Sequence, residues 1–175
     1  SQSVELKALA DTMVVSAQPD TNFGGAGRLV SRGVDQEGEG VQRVLVRFPE
    51  LELPPQAYVE TAWLEISDAQ GESGVVALVQ GDWQEHAVTY NTQPRFALPI
   101  ATAEPGQPGR WDVTALVRAW TSGLFPNHGF ALLENRDTAS TANYASKEGG
   151  KAPRLRVTYR VPVADIENQA LVSEV

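Results

Sequence analysis

The sequence predicts an all-β protein: an antiparallel β-sandwich of jelly-roll type with one short helix. Three observations carry that expectation. Apolar and polar residues alternate with a period of two through many short runs, as half-buried strands require. Fifteen Gly and eleven Pro fall largely between those runs, where they punctuate the chain as turns. Only one segment has helical spacing, so the strand–helix rhythm of a parallel sheet is missing.

In chain order, Val4, Leu6 and Ala8 alternate with Glu5 and Lys7, a short strand ahead of the main body. Residues 12–16 and 28–32 form an early pair around the turn-rich Pro19-Asp20-Thr21-Asn22-Phe23-Gly24-Gly25. Residues 43–48 read as a central strand. Residues 58–66 place Ala62, Leu64 and Ile66 on one face and Val59, Thr61, Trp63 and Glu65 on the other. Residues 75–79 are apolar almost throughout, as expected of a strand covered on both sides. Residues 129–133, 141–146 and 155–159 complete the set. The helix falls over 113–122, where Val113, Leu116, Val117 and Trp120 recur at i, i+3, i+4 and i+7. Asp112 is placed to cap it and Gly123 to end it.

Composition excludes several functions. At 175 residues, 42% hydrophobic and 21% charged, the chain suits one domain with a real core. The net charge of -8 repels a phosphate backbone unless the cations cluster, and no cluster is visible in the sequence. Nucleic acid is therefore excluded as a partner, and an anionic membrane surface is disfavoured on the same ground. No apolar run approaches the roughly 20 residues of a membrane span. The absence of Cys removes disulfides, thiolate chemistry and Cys-ligated zinc. A start at Ser1 without a leader fits a processed chain or an excised domain, and the expected location is secreted or cell-surface.

Four blocks then carry a family likeness. They are Ala10-Asp11-Thr12 with Pro19-Asp20-Thr21-Asn22-Phe23-Gly24; Asp82-Trp83-Gln84-Glu85 with Val88-Thr89-Tyr90-Asn91 and Pro94; Trp111-Asp112-Val113-Thr114-Ala115-Leu116-Val117 with Ala119-Trp120; and Tyr144-Ala145-Ser146-Lys147-Glu148 with Ala152-Pro153-Arg154-Leu155 and Val157-Thr158-Tyr159. In order and spacing they resemble the DNRLRE-type (disaggregatase-related) domain of secreted bacterial and archaeal proteins, over about residues 9–160. The resemblance implies an extracellular jelly-roll sandwich without a catalytic centre. Some relatives of that type resemble carbohydrate-binding modules for acidic polysaccharides such as alginate. Residues 1–8 and 161–175 lie outside the likeness and read as terminal extensions.

No catalytic residues are assigned. There is no G-x-S-x-G, and only His86 and His128 are available as bases. Asp82 and Glu85 flank Trp83 in a way that suits a sugar site, but the resemblance explains that block as a structural loop. No enzyme is expected and no cofactor is required. Structural calcium is a candidate, with Asp11 and Glu148 as first ligands and Asp20 and Asn22 next; the competing reading has the aspartates forming Asx turns and Glu148 pairing with an Arg. For glycan binding, Trp63 is the tryptophan placed to face outward, and Arg43 and Arg47 alternate on one strand. The main expectation is a self-assembling surface filament, a homopolymer built by terminal strand exchange with an adhesive role. Its assembly residues are Val4, Leu6, Val161, Val163, Ile166 and Leu171. The alternative is a carbohydrate-binding module for a cell-wall or extracellular polysaccharide.

Overall fold

A computed structural model describes residues 1–33, 40–134 and 140–162. Its elements are β1 (Gln2–Lys7), β2 (Ala10–Val15), β3 (Arg28–Arg32), β4 (Gln42–Arg47), β5 (Tyr58–Glu65), β6 (Gln70–Gly71), β7 (Val75–Val79), β8 (Phe96–Thr102), β9 (Arg110–Asp112), α1 (Thr114–Thr121), β10 (Phe130–Leu133), β11 (Thr141–Ala145) and β12 (Arg154–Arg160). Every strand pairing is antiparallel. A four-stranded sheet runs β1-β12-β5-β9, and an eight-stranded sheet runs β6-β11-β3-β4-β10-β7-β8 with β2 added on β4. The expected antiparallel sandwich is the observed fold.

The core lies between the two sheets. Leu155 and Val157 of β12, Val59, Ala62 and Leu64 of β5, and Trp111 of β9 meet Val44, Val46, Leu78, Phe130, Leu132 and Tyr144 of the larger sheet. Each such aliphatic side chain, fully buried, favours folding by about 1.5–3 kcal/mol before entropy is charged against it. Helix α1 closes one end with Leu116, Val117 and Ala119. Asp112 Oδ1 accepts the Thr114 amide at 3.0 Å, so the acid holds the first turn although the formal N-cap is Val113. Gly123, at φ 78°, supplies the left-handed residue that ends the helix.

A second, smaller core covers the outer face of the larger sheet. Residues 80–95 form a loop that lays Trp83 and Val88 over Val14, Leu45, Val79 and Ala131. This loop is why β4 and β7 are apolar on both faces.

Two expectations are corrected here. Val59 does not share the face of Trp63; it is 2% exposed and sits in the core. The β5–β12 register shifts between Thr158 and Tyr159, so an extra residue near Glu60 reverses the alternation before Thr61. Residues 1–8 are also no detached extension: β1 pairs with β12 of its own chain from Gln2↔Tyr159 to Lys7↔Arg154. Val4 and Leu6 pack against the main core. Val161 lies just past β12, while Val163, Ile166 and Leu171 fall outside the described residues. Strands β6, β8 and β9 were not anticipated. Two of them have three residues or fewer, too few for a readable period, and β8 pairs with β7 across a register shift.

Candidate functional site

Among the described residues, none covers the outer face of the four-stranded sheet. Alternation turns the apolar residues of β12 inward and sets Arg154 and Arg156 outward, both exposed. Cross-strand pairing then arranges side chains in rows. One row is Lys7, Arg154, Glu65 and Arg110; the next is Glu5, Arg156, Trp63 and Asp112; the third is Ser3, Thr158 and Thr61. At one end the turns at 66–68, 107–109 and 147–152 rise around the face, forming a groove of about 740 Å³.

Charge separates this groove from the rest of the surface. Its lining holds Lys7, Arg110, Lys147, Lys151, Arg154 and Arg156 against Glu5, Glu65 and Asp68. Six of the chain's fourteen cations thus converge on one groove lined by three acids, in a protein of net -8, with Lys147 also paired to Glu85 and Glu148 beside it. The contacts of the three arginines are loose: Glu65 Oε1 lies 3.8 Å from both Arg110 Nε and Arg156 Nη1, and Arg154 Nη1 lies 3.3 Å from Glu5 Oε1. Lys151 and Asp68 pair at 2.8 Å, and that ammonium holds the Asp68 carboxyl below its ordinary range. Exposed pairs of this kind contribute little to stability and exchange readily with an incoming anion. Trp63 stands at the groove's edge with the Arg110 guanidinium 3.7 Å from its ring centroid. Further along, Tyr58 is 47% exposed and lies under Arg118 and Arg160.

The anticipated sugar-binding trio is split. Trp63 is on this face, but Arg43 and Arg47 belong to the other sheet and hold its covering loop. Arg43 donates to Gln93 Oε1 at 3.1 Å and lies over the Tyr90 and Phe96 rings. Arg47 lies over the Trp83 ring, donates to Asp82 Oδ1 at 2.9 Å, and donates to the Trp83 carbonyl. Trp83 itself is 4% exposed and gives its indole N–H to the His128 carbonyl. The Asp82–Glu85 block is therefore a structural loop. Four of the six cations, Lys147, Lys151, Arg154 and Arg156, fall in the β11–β12 turn and β12, while Lys7 and Arg110 join them only when β1 and β9 enter the same sheet. The readable signals were the run of cations over 147–156 and the alternation of Arg154 and Arg156 with Leu155 and Val157.

Beside the groove is a group of carboxylates. Asp11 is 1% exposed; its Oδ2 accepts the Lys147 amide at 2.7 Å, and its backbone N–H donates to Glu85 Oε2 at 2.8 Å. Burial, then the adjacent Glu148 carboxyl, pushes Asp11 up to about 7. Burial also raises Glu148, but the hydrogen bonds it makes with Asp11 and Lys147 outweigh that and leave it below the ordinary range. The Lys147 ammonium sits 3.0 Å from Glu148 Oε1 and 3.2 Å from Glu85 Oε1, contacts that raise its own proton affinity.

Two of the four anticipated calcium ligands, Asp11 and Glu148, are thus neighbours. Asp20 and Asn22 instead fasten the covering loop: Asn22 Nδ2 donates to the Glu85 and Val88 carbonyls at 2.9 and 2.8 Å, and Asp20 Oδ1 accepts from Asn91. A Cβ on Gly24 would lie 2.4 Å from the Glu85 carbonyl, so only glycine lets the two loops approach this closely.

An antiparallel sandwich whose described residues leave a basic, aromatic-bearing sheet face open has the form of a binding module. Residues 2–159 match carbohydrate-binding module family 96, and the chain belongs to that family. The match begins in β1, in keeping with that strand's place in the sandwich. The chain is also 28% identical over 183 residues to tRNA nuclease WapA of Bacillus subtilis and to tRNA3(Ser)-specific nuclease WapA of Bacillus spizizenii. Those alignments cover 91% of this chain but 8% of the relatives. No helix among the described residues is long and apolar enough to cross a membrane.

Proposed function

We propose that this protein is a non-catalytic module that binds an anionic, uronate-type polysaccharide along the outer face of its four-stranded sheet. The single observation behind this reading is the convergence of six cations on one groove beside Trp63. A carboxylated sugar chain offers both things the face can use. Its carboxylates accept charge-assisted hydrogen bonds from Arg154 and Arg156, and its apolar ring faces pack on the Trp63 indole. The overall charge of -8 does not oppose this, because charges beyond about 10 Å are screened at 0.1 M salt. Membership of a carbohydrate-binding family supports the ligand class. A polysaccharide outside the cell and a secreted location fit the same reading.

Strand-exchange assembly is not carried forward as the main reading, since the family match favours the carbohydrate-binding one. The nuclease activity named for the WapA proteins belongs to chains of which this one spans 8%.

Affinity electrophoresis through gels containing a polyuronate, a neutral β-glucan or single-stranded RNA tests the assignment. Retardation by the polyuronate alone, weakening as salt is raised, is expected. Equal retardation by RNA of matched charge, or by the neutral glucan, would contradict it.

A further inference from the structure

We infer that the sheet face carries a second anionic-sugar subsite at the end away from the groove, built from Tyr58, Arg118 and Arg160, so that the polysaccharide lies along β5 and β12 and not across them. It rests on the groove's being the glycan surface, and it adds the direction and the least length of the ligand.

Strand β12 shows the pattern first. Arg154, Arg156 and Arg160 are all exposed, and their even spacing sets all three on the outer face. Arg154 and Arg156 line the groove, whereas Arg160 stands six residues from Arg154, roughly 20 Å along the strand. Tyr58 lies directly opposite Arg160, and its exposure beside the buried Val59 turns it to the same side. Tyr58 and Trp63 are thus two rings on one strand, roughly 15 Å apart once the bulge between them is allowed for. Each ring carries a guanidinium. Arg110 lies over Trp63, while Arg118 and Arg160 lie 4.7 and 5.4 Å from the Tyr58 centroid. The hydroxyl row of Ser3, Thr158 and Thr61 crosses the face between them and offers hydrogen bonds to a sugar chain on the way.

The charge at this end is also less neutralised than in the groove. Arg118 reaches over from α1, where its Nε donates to the Val59 carbonyl at 2.9 Å and its Nη2 to the Glu60 carbonyl at 3.3 Å. Those bonds fix the guanidinium without cancelling its charge. Among the described residues neither Arg118 nor Arg160 belongs to an ion pair, and the local acid, Glu60, accepts the Ser1 hydroxyl at 2.6 Å. Tyr58 stays 47% exposed with both arginines in place. Two oriented cations about an accessible ring suit a carboxylated sugar, as Arg110 and Arg156 beside Trp63 do. A disaccharide is too short to reach both ends. A longer chain can hold both, and its second contact is intramolecular once the first has formed.

The test is titration calorimetry of polyuronate fragments of two and of eight sugars into the full chain and into Tyr58→Ala and Arg160→Ala. Both positions are exposed, and thermal unfolding checks that each variant is folded. In the natural chain the long fragment should bind at least about tenfold tighter than the short one. Each variant should lose at least fivefold in affinity for the long fragment and less than twofold for the short one. Long-fragment affinity within twofold of the natural value in either variant, or an equal loss for both lengths, would overturn the second subsite. If the long fragment binds and both variants leave it unchanged, the groove reading stands and this one alone falls. If no polyuronate binds the natural chain, both fall.

Discussion

The guanidinium of Arg110 lies over the indole of Trp63, 3.7 Å from the ring centroid, although the two residues come from different strands and are not directly opposed. The pairing sets Trp63 beside Asp112 and Arg110 beside Glu65, so the contact is diagonal across β5 and β9. Such a stack is worth about 0.5–1 kcal/mol at an exposed site and holds a large ring in one orientation on an otherwise polar face.

Trp63→Ala should therefore cost binding and not folding. Polysaccharide affinity is expected to fall about tenfold or more, whereas stability should fall by only about 1 kcal/mol, the worth of the lost Arg110 stack on a half-buried ring. Calorimetry and thermal unfolding of the same variant give both quantities. A large loss of stability would mean that the ring is structural.

Arg47→Ala should behave in the opposite way. Its side chain covers the Trp83 ring and ties down Asp82 and the Trp83 carbonyl. Truncation is expected to destabilise the protein by about 1–3 kcal/mol and to leave glycan affinity unchanged. Denaturant unfolding read by tryptophan fluorescence is the direct check.

Removing residues 1–8 should destabilise the isolated chain by about 3 kcal/mol or more. It strips the six-residue pairing on β12 together with the packing of Val4 and Leu6. Equal denaturation midpoints for the full and truncated chains would show that β1 is dispensable and available for exchange.

Glu134 provides a pH prediction. It is 8% exposed, and burial raises its carboxyl above the usual glutamate range despite donors from Ser31, Ser140 and Gly74. A folded value above the unfolded one means protons bind the native state more tightly. The stabilisation from this group is thus full below the unfolded value and is lost as pH rises through the raised one. Glu134→Gln should flatten that part of the stability profile. An unchanged profile would show that Glu134 does not titrate there.

Much of this fold was legible in the sequence because its strands have clean period-two patterning and its helix has a clear apolar stripe. Residues 28–32 were placed to the residue, and the helix within one residue at each end. The site was less legible, for a topological reason. Arg43 and Arg47 look like an outward pair on a strand, but the loop over residues 80–95, remote in sequence, covers that face. Lys7, Arg110 and Arg154 look unrelated until β1, β9 and β12 enter one sheet. Trp63 was placed correctly because β5 alternates regularly from Thr61 onward; Val59 was not, because a bulge leaves no mark in composition. Asp11 and Glu148 were readable as a pair through the joining of early and late segments, whereas Glu85 reaches them only by the folding back of the covering loop.

The central claim is that the basic face of the four-stranded sheet binds an anionic polysaccharide. Isothermal titration of a polyuronate into the natural chain and into the Arg154→Ala/Arg156→Ala double variant tests it most directly. Both arginines are exposed, so the variant should fold normally and melt near the natural temperature. The account predicts an affinity at least tenfold lower in the variant and a weaker salt dependence. Equal affinity and equal salt dependence in the two proteins would contradict it.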